Sequence, residues 1–294
     1  MRIVIASGGL GNTMSQYAFV MSLRKHDNQK CALFVAESNM EHYGYELEKI
    51  FPNVIKCDKM NVFQRIYINI LSSLRNVKIG KRYFPHQILF CFHKRMFTPE
   101  AIWFYPEVYN KQYRNAYFLG QFQSYKYLEN CELEVRNAFE FDLLKLSNRT
   151  KELSKLMEEV NSVSLHVRRG DYQNAYYING LGNVVTLDYY KRAINYIKQK
   201  IHNPVFFVFS DDLEYVKSNI LLDNVIYVDF NRGDNSWQDM YLMSKCKHNI
   251  IANSTFSWWG AWLNNNESKI IVAPQKWWAT LDKDDLIPTK WIRI

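Results

Sequence analysis

One short stretch of the chain brings together residue types that bind anions. From Val163 to Tyr172, apolar and polar residues alternate and then give way to a turn, which is the pattern of a strand followed by a loop. His166, Arg168 and Arg169 fall at the carboxyl end of this strand, and Asp171 follows them. Two guanidinium groups in one place favour phosphate, because the rigid fork of arginine matches two oxygens at once. The alternative is a plain strand end whose solvated arginines bond to Asp171.

Two other predicted strands of the second half also end in polar residues. The continuously apolar strand 205–209 is followed by Ser210, Asp211 and Asp212. The strand 248–252 is followed by a cluster of Asn253, Ser254, Thr255 and Ser257. Because parallel strands share one carboxyl edge, we expect these two clusters to lie beside the arginines.

Together the three clusters predict a site for a nucleoside diphosphate. The arginines and the hydroxyl cluster would hold the diphosphate, and Asp211 or Asp212 would accept hydrogen bonds from N1–H and the 2-amino group of guanine. The alternative for one of the two aspartates is to cap the helix that follows. The pair would also suit Mg²⁺, but two arginines already neutralise a diphosphate, so we expect no metal and no cofactor.

A glycine-rich loop follows the first predicted strand, Arg2 to Ala6. It contains Gly8, Gly9, Gly11 and Asn12 and leads into a helical pattern. A strand, a glycine loop and a helix in this order aim backbone N–H groups at an anion. The loop lacks the Gly-Lys-Ser/Thr of a P-loop and does not match the dinucleotide fingerprint GxGxxG. The alternative is a glycine turn that serves only the sharp connection from strand to helix.

The elements that must position these residues form an alternating pattern. Strands and helices alternate from residue 163 to residue 273, which predicts an α/β fold with a doubly wound parallel sheet in the second half. The first half is less regular between residues 43 and 128. We place the joint between two domains near residue 158.

The composition excludes several classes of protein. The 294 residues are 48% hydrophobic and 22% charged, which indicates a folded core rather than disorder. Five scattered cysteines without a CxxC pair predict neither a disulfide framework nor a zinc site. No signal-peptide core precedes the first glycines, and no apolar run has the length of a membrane span. We therefore expect a cytoplasmic protein.

The positive charge of the chain is unevenly distributed. The formal net charge is +8, and no acidic residue occurs between Asp58 and Glu100. The basic residues of that interval include Arg65, Arg75, Lys78, Lys81, Arg82, Lys94 and Arg95. A basic segment rich in aromatic residues predicts peripheral contact with the anionic inner membrane surface. The alternative is a solvated basic face.

Several motifs resemble one group of glycosyltransferases. The sequence His166-Val167-Arg168-Arg169-Gly170-Asp171 looks like the HxRRxD motif of the α1,2-, α1,6- and protein O-fucosyltransferases. The segment from Gly8 to Ala18 resembles GGLGNQMFQYA, the opening of the bacterial α1,2-fucosyltransferases of glycosyltransferase family 11. Segments 209–212 and 253–262 are similar to two later motifs of that family. Thr13 and Ser15 stand where the family usually has Gln and Phe, and these departures concern the acceptor more than the reaction.

The resemblance implies a GT-B-like fold, in which two Rossmann-like domains face a cleft. Residues 1–158 would form the acceptor-side domain and residues 159–294 the GDP-fucose-binding domain. The implied catalytic residues are Arg168 at the β-phosphate, His166 beside the nucleotide and Asn12 facing the diphosphate from the first domain. Asp171 is expected to fix an arginine, and Arg169 to anchor Asp171 or the loop. The full implied donor-binding set is Gly9, Gly11, Arg168, Arg169, Asp171, Asp211, Asp212, Ser254, Thr255 and Ser257.

The implied reaction is the metal-independent transfer of L-fucose from GDP-fucose, with inversion, to position 2 of a β-galactoside. The acceptor would be a galactose-terminated oligosaccharide of O-antigen or capsule type, free or lipid-linked. Glu37, Glu46 and Glu48 lie on the acceptor side without a motif that promotes any of them to general base. The other option is that the departing diphosphate takes the proton.

Three other classes of protein compete with a fucosyltransferase as the function of this chain. A non-catalytic glycan- or nucleotide-binding protein of the same fold would bind GDP without transferring a sugar. Nucleic-acid binding is suggested by the charge, but the basic residues form no RNA-binding motif and the arginines lie at a strand end, so no nucleic-acid partner is expected. A nicotinamide dehydrogenase is disfavoured by the imperfect glycine pattern.

Overall fold

The computed structural model of the chain divides into two compact units, Met1–Glu140 and Phe141–Ile294. The residues it describes are 1–55, 57, 59–75, 78–79, 82–83, 96–97, 103–174, 178–281 and 284–294. Most of the basic segment predicted to contact a membrane, beyond residue 75, lies outside these residues. No helix within these ranges is long and apolar enough to cross a membrane.

In its described residues, the first unit contains a parallel sheet and four α-helices. Its strands are β1 (Arg2–Gly8), β2 (Cys31–Met40), β3 (Lys78–Ile79), β4 (Arg82–Tyr83), β5 (Met96–Phe97) and β6 (Tyr117–Leu119). Its helices are α1 (Leu10–Asp27), α2 (Leu47–Ile50), α3 (Val62–Arg75) and α4 (Glu132–Ala138). The parallel sheet has the order β2-β1-β6-β5, while β3 and β4 form a separate antiparallel pair.

Both faces of β1 are covered, which explains its continuous run of apolar residues. Val4 packs on one face with Phe19 of α1. Ile3 and Ile5 pack on the other face with Ile68 of α3. Because β1 is held from both sides, the glycine loop that follows it starts from a fixed point.

The second unit contains a larger parallel sheet and five helices. Its strands are β7 (Ser162–Val167), β8 (Val205–Ser210), β9 (Val225–Val228), β10 (His248–Ile250), β11 (Ile271–Ala273) and β12 (Ile292–Arg293). Its helices are α5 (Asn148–Glu159), α6 (Leu187–Lys200), α7 (Leu213–Asn219), α8 (Trp237–Lys245) and α9 (Thr255–Trp262). The strands pair in parallel in the order β12-β11-β10-β7-β8-β9. The predicted α/β class, with a parallel sheet in the second half, is confirmed.

The strand order of the second sheet reverses beside β7. The chain proceeds from β7 outward to β8 and β9, and then returns to the other side of β7 to form β10, β11 and β12. The two helices that flank such a reversal cover opposite faces, and the gap between them is where open α/β sheets bind their ligands. The predicted cleft between the two domains stays a prediction.

The boundary between the units falls earlier than the sequence predicted. The joint was expected near residue 158, whereas the structure divides the chain after Glu140. Helix α5 packs against α8 of the second unit, and the N–H of Ser147 just before α5 donates to Oε1 of Gln238 at 2.9 Å. The apolar spacing of a helix shows that it covers a sheet but does not show which sheet it covers.

A buried ion pair fixes the two elements that flank the glycine loop. Nη1 of Arg2 on β1 lies 2.8 Å from Oδ1 of Asp27 at the end of α1. The side chain of Arg2 is fully buried, and its Nε also donates to the carbonyl of Tyr113 at 3.3 Å. A buried guanidinium is tolerated only with such partners, because its lost hydration must be replaced.

We expect Asp27→Asn to lower the free energy of unfolding by about 3–5 kcal/mol, because it leaves the buried charge of Arg2 without its counter-charge. Urea unfolding measures the change. The control Asp223→Asn removes an equally short pair with Lys198, 2.8 Å long, whose carboxylate is 86% exposed. Exposed pairs contribute little, so the control should unfold like the parent. Equal losses in both variants would contradict the structural role of Asp27.

Candidate active site

The three polar strand ends that the sequence singled out lie side by side. Strand β7 pairs with β8, where Val167 is opposite Ser210, and with β10, where Leu165 is opposite Ile250. All three strands run parallel, so their carboxyl ends meet at one edge, as predicted. This edge is also the place where the strand order reverses.

Arg168 is held between two carboxylates. Its Nη2 lies 2.8 Å from Oδ1 of Asp171, and its Nη1 lies 3.2 Å from Oδ2 of Asp211. Burial alone would lower the pKa of Arg168, but these two carboxylates outweigh it and raise the pKa above its usual value. Arg168 is therefore charged at every relevant pH, and Asp171 fixes an arginine as expected. A guanidinium has five N–H donors, so donors remain for an anion.

Arg169 ties its loop to α7. Its Nε lies 3.2 Å from Oδ2 of Asp212, and its guanidinium carbon lies 3.4 Å from the ring centre of Tyr215. Its backbone N–H donates to Oδ1 of Asp211 at 2.9 Å. Of the two roles predicted for Arg169, the structure shows the loop anchor, since Asp171 pairs with Arg168 instead.

Asp211 and Asp212 already serve other groups. Asp211 receives the N–H of Arg169 and the side chain of Arg168. Oδ1 of Asp212 accepts the N–H of Tyr215 at 3.1 Å and so caps α7. This is the capping alternative that the sequence left open for one of the pair. The predicted role of either carboxylate in reading guanine stays a prediction.

Carboxylates outnumber guanidinium groups in this cluster. Arg168 and Arg169 bring two positive charges, whereas Asp171, Asp211 and Asp212 bring three negative charges at pair distances of 2.8 to 3.2 Å. The two arginines are already matched by these carboxylates and do not by themselves neutralise a diphosphate. A diphosphate at this edge needs a further source of positive potential. Among the described residues, no group of three or more His, Cys, Asp or Glu side chains is arranged to hold a metal ion.

Helix α9 begins beside the arginine loop. The hydroxyl of Tyr172 donates to the carbonyl of Asn253 at 3.0 Å, which ties the loop to the start of α9. Ser254 is the buried N-cap residue, and its hydroxyl makes no capping hydrogen bond. The buried hydroxyl of Ser257 donates to the carbonyl of Ser254 at 3.2 Å, while Thr255 is half-buried. The start of a helix carries partial positive charge and attracts anions.

Two glycines allow the arginine loop to pack this closely. A Cβ on Gly170 would lie 2.6 Å from Oδ2 of Asp211, the oxygen that faces Arg168. A Cβ on Gly182 would collide with the carbonyl oxygen of Tyr172. The absence of a side chain at these positions is therefore a condition for the ion pairs above.

His166 lies buried on β7, two residues before Arg168. Its side chain is 6% exposed, and its Nδ1 is buried without a hydrogen-bond partner in the described chain. Burial, together with the positive charge of Arg168, lowers the pKa of His166 to about 3. An imidazole with this pKa is a poor proton acceptor near neutral pH. Burial therefore keeps His166 neutral near pH 7, and its place beside the nucleotide stays a prediction.

The predicted residues of the first unit form the turn into α1. Gly8 has a φ of 83°, and a Cβ there would collide with the side-chain amide of Asn12. Gly9 is the N-cap of α1 and Gly11 lies buried in its first turn. Oδ1 of Asn12 accepts a hydrogen bond from Nε2 of Gln123 at 3.0 Å. The turn requires Gly8, which agrees with the alternative that the glycines serve the sharp connection from strand to helix. The role of Asn12 toward a diphosphate stays a prediction.

Sequence reasoning missed the role of Gln16. Its Oε1 accepts the N–H of Ser7 at 3.0 Å, and its Nε2 donates to the carbonyl of Gly120 at 3.0 Å. Gln16 thus joins the carboxyl ends of β1 and β6. Its place in the GGLGNQMFQYA motif was the available signal.

Sequence reasoning also missed a buried carboxyl group near the end of β9. Oδ1 of Asp239 on α8 accepts a hydrogen bond from Nδ2 of Asn231 at 2.8 Å. Burial raises the pKa of Asp239 to about 7, and the opposing effects of Asn231 and Arg232 are smaller. The largely polar residues 229–235 could have indicated it, because they follow β9 in the same way as the other polar clusters follow β7, β8 and β10. This edge of the sheet therefore carries four polar strand ends, three of which the sequence identified.

Comparison with known proteins defines the class to which this fold and edge belong. The family model described as Glycosyl transferase family 11 matches residues 3–294. The chain is therefore a glycosyltransferase. The chain belongs to glycosyl transferase family 11.

Two relatives from Escherichia coli are similar to this chain over almost its whole length. It is 32% identical to the alpha-1,2-colitosyltransferase of Escherichia coli over 100% of this chain and 99% of that protein. It is 34% identical to the O-antigen biosynthesis glycosyltransferase WbnK of Escherichia coli over 98% of each. It is 30% identical to the galactoside alpha-(1,2)-fucosyltransferase 1 of Saimiri boliviensis boliviensis over 36% of this chain and 30% of that one. Among solved structures, NodZ alpha-1,6-fucosyltransferase soaked with GDP-fucose gives a TM-score of 0.47 at 15% identity, over 89% of this chain and 92% of that chain.

The buried His166 is expected to make the fold sensitive to acid. Its pKa is about 3 in the folded chain against an ordinary value of 6.5, so between these values only the unfolded chain binds the proton. Stability therefore falls as the pH falls through this window. His166→Asn removes this titration and should flatten the fall by up to about 1.4 kcal/mol per pH unit.

Urea unfolding at a series of pH values measures the difference between parent and His166→Asn. Above pH 7, the two curves should differ by a constant amount, because neither state of the parent then carries the extra proton. Parallel curves down to pH 4 would show that His166 titrates alike in both states, contrary to the expectation.

Proposed function

We propose that the chain is a galactoside α1,2-fucosyltransferase, which moves L-fucose from GDP-fucose to O2 of a β-galactoside with inversion at the anomeric carbon. The observation that carries the proposal is Arg168, a fixed cation at the carboxyl end of β7, where the strand order reverses. The family and the α1,2 linkage in the names of two relatives support it. The second unit would bind the donor and the first unit the acceptor.

The acceptor is proposed to be a galactose-terminated oligosaccharide of O-antigen or capsule type. The support is the name of a relative that is similar over 98% of its length, an O-antigen biosynthesis glycosyltransferase. The galactoside α1,2-fucosyltransferase matches over a shorter segment and supports the β-galactoside class.

A second candidate differs only in the sugar that is transferred. A relative that is similar over the whole chain is named an alpha-1,2-colitosyltransferase. Colitose is the 3-deoxy analogue of L-fucose, so the two donors differ by a single hydroxyl group. The resemblance of the HxRRxD stretch to fucosyltransferases makes fucose the first candidate.

The diphosphate is proposed to lie between Arg168 and the start of α9. Arg168 offers N–H donors beyond its two carboxylate contacts, and the start of α9 adds positive potential without a mobile charge. This second source matters because the three aspartates outweigh the two arginines. Ser254 and Thr255, at the start of α9, are proposed to bind the phosphates. Metal independence is retained as part of the proposal.

The proposed mechanism places the catalytic effect on the leaving group. The bond between C1 of fucose and the β-phosphate oxygen breaks as the bond from C1 to O2 of galactose forms, through an oxocarbenium-like transition state. Negative charge grows on the departing GDP, so a fixed cation beside it binds the transition state more tightly than the ground state. Asp171 and Asp211 act as positioning residues because they hold Arg168.

The proton of the acceptor hydroxyl is assigned to no side chain of the second unit. His166, with a pKa of about 3, is proposed to contact the nucleotide rather than to take the proton. Of the glutamates left open by the sequence, Glu46 is buried at the start of α2 and Glu48 is exposed. Inversion places the acceptor hydroxyl on the face of C1 opposite the diphosphate, so the proton is proposed to reach the departing diphosphate through water. Glu37 stays a predicted alternative for the general base.

The purified chain is expected to form an α1,2-linked product from GDP-fucose and a β-galactoside in the presence of EDTA. The assay compares GDP-fucose with GDP-colitose on a panel of galactose-terminated acceptors, and NMR identifies the linkage. Faster transfer from GDP-colitose would favour the second candidate. Binding of GDP without product from either donor would identify a non-catalytic protein. A strict need for added Mg²⁺ would contradict the metal-independent part of the proposal.

Arg168→Ala is expected to lower kcat by about 10- to 100-fold or more, since a charged hydrogen bond contributes about 1.5–3 kcal/mol. Arg168→Lys should recover little, because an ammonium lacks the planar fork. The control is Arg192→Ala, which removes a guanidinium from an exposed pair with Asp188 at 2.9 Å on α6. Normal turnover in a folded Arg168→Ala enzyme would refute the assignment.

A further inference from the structure

Helix α3 carries an exposed apolar stripe for which the proposed reaction has no use. Val62, Phe63, Ile66 and Ile70 are 68%, 83%, 52% and 50% exposed. At about 100° per residue, these four side chains fall within an arc of about 100° on the helix surface. Ile68 projects from the opposite side and is fully buried in the core of the first unit. Single exposed hydrophobic residues are common, whereas a contiguous stripe indicates an interaction surface.

The apolar stripe lies in a segment of uncompensated positive charge. Arg65 borders the stripe on α3, Lys59 precedes the helix, and both side chains are exposed. From residue 59 to residue 99 the chain contains no Asp or Glu. The basic residues of this interval are Lys59, Arg65, Arg75, Lys78, Lys81, Arg82, Lys94 and Arg95. Any partner of the stripe must therefore tolerate the exposed positive charges of Lys59 and Arg65.

We propose that α3 docks on an anionic membrane surface, with the apolar stripe in the headgroup region and the exposed Lys59 and Arg65 against lipid phosphates. An exposed apolar stripe on a helix with basic flanks is the pattern of interfacial helices. The 14 residues of α3 span about 21 Å, which is shorter than the hydrocarbon core of about 30 Å. The helix therefore lies in the plane of the surface. This inference does not depend on the proposed transferase activity.

Charge distinguishes the membrane from the other occupant that an apolar stripe suggests, a second copy of the chain. Self-association through α3 would bring two acid-free basic segments together, and like charges at close range repel. An anionic bilayer supplies opposite charge to Lys59 and Arg65, and each Lys or Arg near such a surface adds about 1 kcal/mol, which is about fivefold in affinity.

The test is flotation of the full chain with two kinds of vesicles, phosphatidylcholine alone and phosphatidylcholine mixed with phosphatidylglycerol. The parent is expected to float with the mixed vesicles and to dissociate as salt is raised, because screening weakens the charge contribution. Phe63→Gln with Ile66→Gln should reduce the bound fraction by about tenfold or more. Lys59→Gln with Arg65→Gln should reduce it by about fivefold for each charge removed.

The matched control makes the same chemical change on exposed leucines elsewhere. Leu144 and Leu221 are 90% and 88% exposed and lie in the second unit, so Leu144→Gln with Leu221→Gln should float like the parent. All the exchanged side chains are exposed, and unchanged thermal unfolding confirms that each variant is folded. Equal flotation of parent and α3 variants, or no flotation with anionic vesicles, would overturn the proposal. A lipid-free dimer that is lost in Phe63→Gln with Ile66→Gln would assign the stripe to a second copy instead.

Discussion

The guanidinium–carboxylate network at the end of β7 is the interaction on which the candidate site depends. Arg168 joins the loop after β7 to the end of β8 through Asp211, and Arg169 joins the same loop to the cap of α7 through Asp212. These side chains are 23–41% exposed, so the pairs are partly shielded from water and hold the loop more firmly than fully exposed pairs would. The network therefore orders the loop before any substrate binds, which is what a preorganised anion site requires.

The same network limits what the arginines can do alone. Three carboxylates around two guanidinium groups leave the edge without excess positive charge. The arginines are thus held accurately but are electrostatically compensated. The proposed anion binding at this edge would then depend on the start of α9, which Tyr172 fixes beside the loop through Asn253. The ion pairs therefore order the loop, whereas the start of α9 supplies the positive potential that would attract an anion.

The architecture of the second unit was accessible from the sequence because it is local. Alternation in β7 and a continuous apolar run in β8 are periodic signals, and the polar strand ends followed from parallel pairing. Asp171 follows Arg168 by three residues, so its pairing with an arginine was accessible from the sequence. Asp211 and Asp212 follow another strand, so their pairs with the arginines depend on the folded sheet. Gln16 and Asp239 were missed for the same reason: their partners, Gly120 and Asn231, depend on how neighbouring segments pack. The domain joint was misplaced because amphipathic spacing in α5 does not identify its partner α8.

Gly170 has a consequence for how this site can vary between related proteins. Its hydrogen atom occupies space that any larger side chain would take from the carboxylate of Asp211. Alanine at position 170 would change no charge, but its methyl group would displace the carboxylate of Asp211 from Arg168. The electrostatic field at the sheet edge therefore depends partly on the size of the side chain at position 170. The effects of substitutions at Arg168 or Asp211 will consequently depend on which residue occupies position 170. Variation of the charged residues alone therefore samples only part of what determines the site.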